Sequence, residues 1–153
     1  KTWTIDTKNM ELTLAINVKI EDFVNGTIRL GTFTLLSQNP KASFFLRCKN
    51  GGADYERVDL MNNEFNQHVS KSLIQSCSSG LGVTDSNLDF SVDNETIVSL
   101  EINRAKSYPF IMLQNNLDKK GYLTRVHFSV QELDDTLKIN ERKEYNLEYT
   151  IKF

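Results

Sequence analysis

The last ten residues of the chain, EYNLEYTIKF (residues 144–153), alternate between apolar and polar side chains. A period of two residues places successive side chains on opposite faces of an extended strand. This stretch therefore predicts a half-buried β-strand at the end of the chain. Its apolar face would carry Tyr145, Leu147, Tyr149, Ile151 and Phe153.

The same period recurs through most of the 153 residues. MELTLAINVKI (residues 10–20) places Leu12, Leu14, Ile16 and Val18 on one face, and TIRLGTFTLL (residues 27–36) changes phase near Gly31, which predicts a β-bulge. Turn-forming Asn, Asp and Gly residues separate further strand-like stretches. These are residues 43–48, 55–60, 69–75, 88–92, 96–102, 108–113 and 122–130.

Many short strands joined by tight turns are typical of an antiparallel sandwich. The sequence predicts an all-β, immunoglobulin-like β-sandwich in one domain spanning residues 1–153. Residues 57–75 also carry apolar residues at helical spacing, so one short helix remains open as an alternative there.

Composition narrows the classes of function. A net charge of −2 without blocks of basic residues argues against binding of nucleic acid, which requires a basic patch. No apolar run reaches the roughly 18–20 residues of a membrane span. The two histidines, His68 and His127, have no nearby zinc-ligand pair or nucleophile motif. We therefore expect no enzyme activity, no metal and no cofactor.

Two cysteines, Cys48 and Cys77, allow two interpretations. They form one disulfide, as expected in an oxidising compartment, or they are two unrelated buried thiols. A chain that begins at Lys1 is expected of a processed secreted protein, although a shortened chain would look the same. The expected location is extracellular or at the cell surface, with the disulfide formed.

The two ends of the chain also suggest how it functions. Residues 2–20 read as an extended stretch of about twenty residues, and terminal strands are often edge strands that can pair with another chain. Together with LGTFTL (residues 30–35) and the final EYNLEYTIKF, this arrangement resembles subunits of chaperone–usher pili, the surface fibres of Gram-negative bacteria.

The resemblance implies an extracellular adhesive or structural fibre subunit that assembles by addition of a strand between subunits. Its partners would be other subunits or a chaperone, with a host glycan or protein as a possible receptor. Residues 2–5 would contribute to a donated strand. The candidates for strand exchange or for lining the groove are Trp3, Ile5, Leu12, Leu14, Ile16, Val18, Leu147, Tyr149, Ile151 and Phe153. Ordinary core packing is the competing interpretation for all of them.

A second function stays open. Trp3 could stack on a sugar instead of packing over the edge of the sandwich, and the protein would then be a monomeric, secreted carbohydrate- or ligand-binding module. Solution behaviour distinguishes the two hypotheses, because a strand-exchanging subunit self-associates and a binding module is a stable monomer.

Overall fold

The structure, a computed structural model, describes residues 1–21, 28–37, 43–49, 52–61, 81–93, 95–118, 121–131 and 144–153. Within these ranges every regular element is a β-strand. The strands are β1 (Thr2–Asp6), β2 (Glu11–Lys19), β3 (Ile28–Ser37), β4 (Phe44–Cys48), β5 (Glu56–Asp59), β6 (Leu81–Val83), β7 (Asn87–Val92), β8 (Glu95–Ile102), β9 (Phe110–Asp118), β10 (Gly121–Gln131) and β11 (Glu144–Lys152).

The strands form two antiparallel sheets of unequal size. The larger sheet has seven strands in the order β1-β2-β11-β8-β7-β4-β5, and the smaller has four in the order β3-β10-β9-β6. Buried apolar side chains from both sheets form one core cluster, in which the rings of Phe128 and Tyr149 lie 4.6 Å apart. The all-β antiparallel prediction is confirmed.

In each sheet a strand from the first part of the chain pairs with a strand from the last part, and the two pairs are nested in the sequence. In the larger sheet β2 pairs with β11 along its whole length, and in the smaller sheet β3 pairs with β10. The final strand thus lies inside its sheet, away from the strand that precedes it in the chain. In immunoglobulin domains the last two strands are neighbours, so the immunoglobulin-like topology expected from the sequence is not confirmed.

The phase change at Gly31 is a β-bulge, as predicted. Gly31 pairs with Phe128, but the next pair joins Arg29 to Ser129, so Leu30 is skipped. The extra residue returns Leu30 to the core side, where it packs against the core cluster. On one side of the bulge the odd-numbered residues Phe33 and Leu35 pack against the core, and on the other side the even-numbered Leu30 does so.

The N-terminal stretch differs from the expected continuous strand. A turn at residues 7–10 divides it into β1 and β2, which pair as a hairpin. The Asp6 carboxylate accepts the backbone N–H groups of Lys8 and Asn9 at 2.9 and 3.1 Å, and Met10 adopts a positive φ of 54°. A carboxylate that binds the backbone two or three residues on stabilises a turn against the extended conformation.

Two other sequence predictions fall partly on residues that the structure does not describe. The proposed short helix at residues 57–75 begins within β5, and residues 62–75 lie outside the described ranges. Cys48 is a buried free thiol, whereas Cys77 lies outside the described residues, so the disulfide stays a prediction. The single-domain assignment of residues 1–153 likewise stays a prediction.

Candidate functional site

Strand β1 forms one edge of the seven-stranded sheet. Among the described residues it pairs with β2 only, from Thr2 opposite Ala15 to Asp6 opposite Glu11. The strand is shorter than its partner, so the end of β2 from Ile16 to Lys19 has no strand beside it on this side within the described ranges. The hairpin thus leaves part of the β2 edge open.

Two large apolar side chains of β1 point to the face that the core occupies further inside the sheet. Trp3 lies opposite Leu14 and Ile5 lies opposite Leu12, and directly paired residues of an antiparallel ladder share one face. Leu14 is buried, yet Trp3 is 54% exposed and Ile5 is 70% exposed. Their exposure fits the unequal sizes of the sheets, because β1 extends the larger sheet by an outer strand.

Phe153 and Met10 are two further exposed apolar side chains at this end of the larger sheet. Phe153 continues the inward alternation of Tyr149 and Ile151 but is 66% exposed, and its backbone N–H donates to the carbonyl of Met10 at 3.1 Å. We call Trp3, Ile5, Met10 and Phe153 the apolar shelf. A cluster of exposed large apolar side chains at a sheet edge marks an interaction surface.

Within the described ranges, the other three sheet edges carry features that oppose the addition of a strand, whereas β1 carries a charge only at its last residue, Asp6. Charged side chains dominate β5, β6 has only three residues, and β3 contains the bulge. Charges, short length and bulges are the devices by which proteins protect sheet edges. Residues 2–5 of β1 are Thr, Trp, Thr and Ile, without a charge or a proline.

The remaining candidates on β2 and β11 lie along the interior of the same sheet. Leu14 and Ile16 are buried, and Leu12 and Val18 are partly buried against the core cluster. On β11 the corresponding residues Leu147, Tyr149 and Ile151 are also buried. The structure therefore brings the candidates together as two adjacent rows, with Trp3 and Ile5 as a third row at the edge.

The final strand has a neighbour on each side. It pairs with β2 throughout and with β8 from Tyr149 to Lys152. Where the β8 ladder ends, Asn103 donates its backbone N–H to the carbonyl of Glu148 at 2.9 Å, and the Lys106 ammonium contacts the Glu148 carboxylate at 2.6 Å. The hydrogen bonds from Lys106 and then Asn103 lower the pKa of Glu148. The final strand is therefore not an edge strand here. At this end of the larger sheet, the backbone groups available to an added strand belong to β1 and to the end of β2.

His127 has cross-strand hydrogen bonds on the outer face of the smaller sheet. Its Nδ1 lies 3.0 Å from the Thr32 hydroxyl, and its Nε2 lies 2.9 Å from Gln114 Oε1. Burial, followed by the charges of Arg29 and Arg125, lowers its pKa and favours the neutral ring. A catalytic triad would place a carboxylate on one ring nitrogen and a nucleophile on the other, whereas His127 has the Thr32 hydroxyl and the Gln114 amide. His68 lies outside the described residues.

Sequence reasoning missed one cluster of charged residues, which lies at the opposite edge of the larger sheet. Arg47 and Lys49 lie beside Tyr55 on the β4–β5 pair, and Arg57, directly opposite Arg47, lies over Phe45. The sequence did contain a signal for this cluster. Arg47 and Lys49 precede an Asn-Gly-Gly turn signal and Tyr55 and Arg57 follow it, and a hairpin brings alternate residues of its two strands onto one face.

The described ranges hold no helix long and apolar enough to cross a membrane. They also hold no group of three or more His, Cys, Asp or Glu side chains that could bind a metal ion. The chain matches no protein-family model, no curated protein and no solved structure.

Proposed function

We propose that this chain is an extracellular adhesive or structural subunit of a surface fibre, and that its subunits associate by exchange of strand β1. The proposal depends above all on one observation: an unprotected edge strand exposes Trp3 and Ile5 on the core side of its sheet. Other subunits of the same assembly, or a chaperone that supplies a strand, would be the partners.

In this mechanism β1 leaves its own β2 and pairs with β2 of a neighbouring subunit. In the part of the chain that the structure describes, the strand has a ladder to β2 alone, which makes its detachment easier than that of an interior strand. The turn at residues 7–10, with Met10 in the left-handed region, would act as the hinge. Backbone hydrogen bonds would supply affinity, and alternate side chains would supply specificity.

The vacated β2 edge would form the groove. Leu12 and Leu14 would contact the incoming Ile5 and Trp3, as they do within the hairpin register. Ile16 and Val18 would accept further residues of a longer strand, because this part of β2 has no partner on that side among the described residues. The groove in this proposal therefore lies along β2.

The exposed area of Trp3 and Ile5 in the apolar shelf sets an approximate upper limit on the apolar contribution to association of subunits. Exchange restores the contacts that Trp3 and Ile5 already make with Leu14 and Leu12, so a net gain requires that the neighbouring subunit also cover their exposed parts. Complete burial of those parts would contribute about 3–4 kcal/mol. Association costs at least as much in lost translational and rotational freedom. A single exchanged strand would thus be only marginally stable, and the rest of the affinity would have to come from the β2 ladder and from contacts between the remaining surfaces.

Size-exclusion chromatography with light scattering tests the proposal. We expect the full chain to form multimers, and the chain without residues 1–9 to remain monomeric. A labelled peptide of residues 1–9 should bind this shortened chain. Trp3→Ser/Ile5→Ser should also reduce multimers, whereas the control Leu36→Ser/Tyr108→Ser should not, because it removes two exposed apolar side chains elsewhere.

A covalent lock provides a test that does not rely on the folding of a shortened chain. Thr4 and Thr13 are directly paired, so Thr4→Cys/Thr13→Cys should join β1 to its own β2 when oxidised. The oxidised protein should be monomeric, and the same protein after reduction should form multimers. Equal association of the two forms would rule out exchange of β1.

The second candidate is a monomeric, secreted carbohydrate- or ligand-binding module. It is favoured by the complete β2–β11 ladder, which gives a sandwich that requires no strand from a partner. Stable monomers with equal melting temperatures for the full chain and the Trp3→Ser/Ile5→Ser variant would support this function over fibre assembly.

A further inference from the structure

Three basic side chains lie together on the outer face of the larger sheet at its β5 edge. On β4 the core residues Phe44, Leu46 and Cys48 alternate with outward-facing residues. Val58 of β5 packs against the core, so its neighbours face outward as well. We call the outward-facing basic residues Arg47, Lys49 and Arg57 the cationic cluster.

Aromatic rings support all three cations. Arg47 Cζ and Lys49 Nζ each lie 5.0 Å from the centre of the Tyr55 ring, which is 48% exposed. Arg57 Cζ lies 3.7 Å from the centre of the buried Phe45 ring. Cation–π contacts of this kind hold a basic group in place without neutralising its charge.

The cationic cluster has no ion pair within the part of the chain that the structure describes. Asp89 is paired with Arg47 in the ladder, but its Oδ1 accepts the Ser99 hydroxyl at 2.7 Å. Lys152, on the same outer face, shows the opposite arrangement, since it lies 2.6 Å from Glu101 and 3.8 Å from Glu11. The centre of this face therefore neutralises its charges. At the β5 edge three basic side chains stand with one acidic neighbour, Asp59, whose Oδ1 accepts the Met61 backbone N–H at 2.8 Å, so positive charge is in excess there.

The arrangement also costs stability. Arg47 and Arg57 are directly opposite each other in the β4–β5 pair, and like charges in that position repel. A local cost of this kind, in a chain whose net charge is −2, is expected where the residues serve binding. We propose that the cationic cluster, together with Tyr55, is a binding site for an anionic sugar that carries sulfate or carboxylate groups.

Each residue has a defined role in this site. The guanidinium groups of Arg47, over Tyr55, and of Arg57, over Phe45, would each donate paired hydrogen bonds to an oxyanion of the sugar, which their planar geometry matches. The Lys49 ammonium adds a third charge beside it. The exposed part of the Tyr55 ring offers an apolar surface for the C–H face of the sugar ring.

A sugar fits this site better than nucleic acid does. A nucleic-acid site follows a regularly charged backbone and requires a longer basic stripe. Here the basic residues are confined to one hairpin, and Asp89 follows directly in the same row across the sheet. The site is independent of strand exchange, because β1 and β5 are the opposite edges of the sheet.

Isothermal titration calorimetry at low salt, with three oligosaccharides of equal length, tests the site. The probes are a heparin hexasaccharide, a hyaluronan hexasaccharide and uncharged maltohexaose. We expect one or both of the charged probes to bind and the uncharged one not to bind. Binding of heparin alone assigns a sulfate site, and binding of hyaluronan as well assigns a carboxylate site.

Matched variants locate the binding. Arg47→Gln/Arg57→Gln should weaken binding about a hundredfold or more, since each of the two lost charge-assisted hydrogen bonds contributes about tenfold or more. The control Lys8→Gln/Arg125→Gln removes the same net charge from exposed positions elsewhere and should weaken binding less than about twofold. Tyr55→Ala should weaken binding without any change in net charge.

A measurement on the unmodified protein guards against a variant that does not fold. In ¹H–¹⁵N spectra, addition of the heparin hexasaccharide should shift amide signals of residues 45–49 and 55–58. The proposal is wrong if neither charged probe binds, if the control variant loses as much affinity as Arg47→Gln/Arg57→Gln, or if the shifts occur elsewhere. Equal or tighter binding of a twelve-nucleotide single-stranded DNA would also overturn a sugar site.

Discussion

Substitution of Gly31 tests how closely the two sheets pack. A methyl group at Gly31 would lie 3.4 Å from Phe128 Cδ2, 3.5 Å from Leu147 Cδ2 and 3.7 Å from Tyr149 Cε1. These are ordinary contact distances, and Gly31 is not among the described residues with positive φ. We therefore expect Gly31→Ala to fit between the sheets without displacing them.

The size of the effect follows from two contributions. The added methyl group buries roughly one carbon, which contributes about 0.8 kcal/mol. Replacement of glycine in a strand also reduces the conformational freedom of the unfolded chain, by about 0.4–1 kcal/mol. Because the 3.4 Å contact opposes part of this gain, Gly31→Ala should raise the free energy of unfolding by about 1 kcal/mol. Gly31→Val should lower it by about 1–3 kcal/mol, because the additional methyl groups overpack the core.

Urea denaturation followed by far-ultraviolet circular dichroism measures both effects. Dichroism is the suitable probe because Trp3, the single tryptophan, is already half exposed in the folded chain. Gly82→Ala serves as a control, since its methyl group would meet the exposed and movable Phe110 ring at 3.2 Å and should be nearly neutral. A loss of stability with Gly31→Ala, or no loss with Gly31→Val, would refute this account of the packing.

Two further predictions concern titratable groups. The folded state lowers the pKa of His127 below its ordinary 6.5, so the unfolded chain binds the proton first as the pH falls. The free energy of unfolding should therefore decrease below pH 6.5. The urea midpoints at pH 7.5 and 5.0 should differ less in His127→Gln than in the unmodified chain, and an unchanged difference would exclude His127 as the cause. Burial, followed by the charges of Asp85 and Glu56, raises the pKa of the Cys48 thiol to about 11. In Cys77→Ser this remaining thiol should therefore resist iodoacetamide at pH 8 until urea unfolds the chain, and rapid labelling of the native protein would contradict this. The mass of the unmodified chain before reduction tests the predicted disulfide.

Strands that contribute one clean face to the core were the most predictable from sequence. β2 and β11 alternate closely, β10 does so from Val126 to Val130, and the bulge beside Gly31 followed from the change of phase. The expected end of β9 at residue 113 was too early, because the strand continues to Asp118 through polar residues. Those residues are satisfied across the sheet, as when Asn115 accepts the Thr124 hydroxyl at 2.7 Å, so pattern alone could not reveal them.

The candidate site was predictable only in part. Alternation identified Trp3 and Ile5 as an apolar face, but their exposure depends on how far the larger sheet extends beyond the smaller one. That depends on ladders between residues more than a hundred positions apart, which local patterns do not encode. The turn after Asp6 was also missed, although four consecutive polar residues, Asp6 to Asn9, interrupt the alternation there and include turn-forming Asp and Asn.

The nested pairing of β2 with β11 has a consequence for the way the chain folds during synthesis. Residues 11–19 leave the ribosome long before residues 144–152, so the interior ladder of the larger sheet must wait for nearly the whole chain. Closure of so large a loop is entropically costly, and folding should be slow. The β1–β2 hairpin closes over only a few residues and can form at once. During translation, β1 would therefore shield one edge of β2 from neighbouring nascent chains while the other edge waits for the final strand.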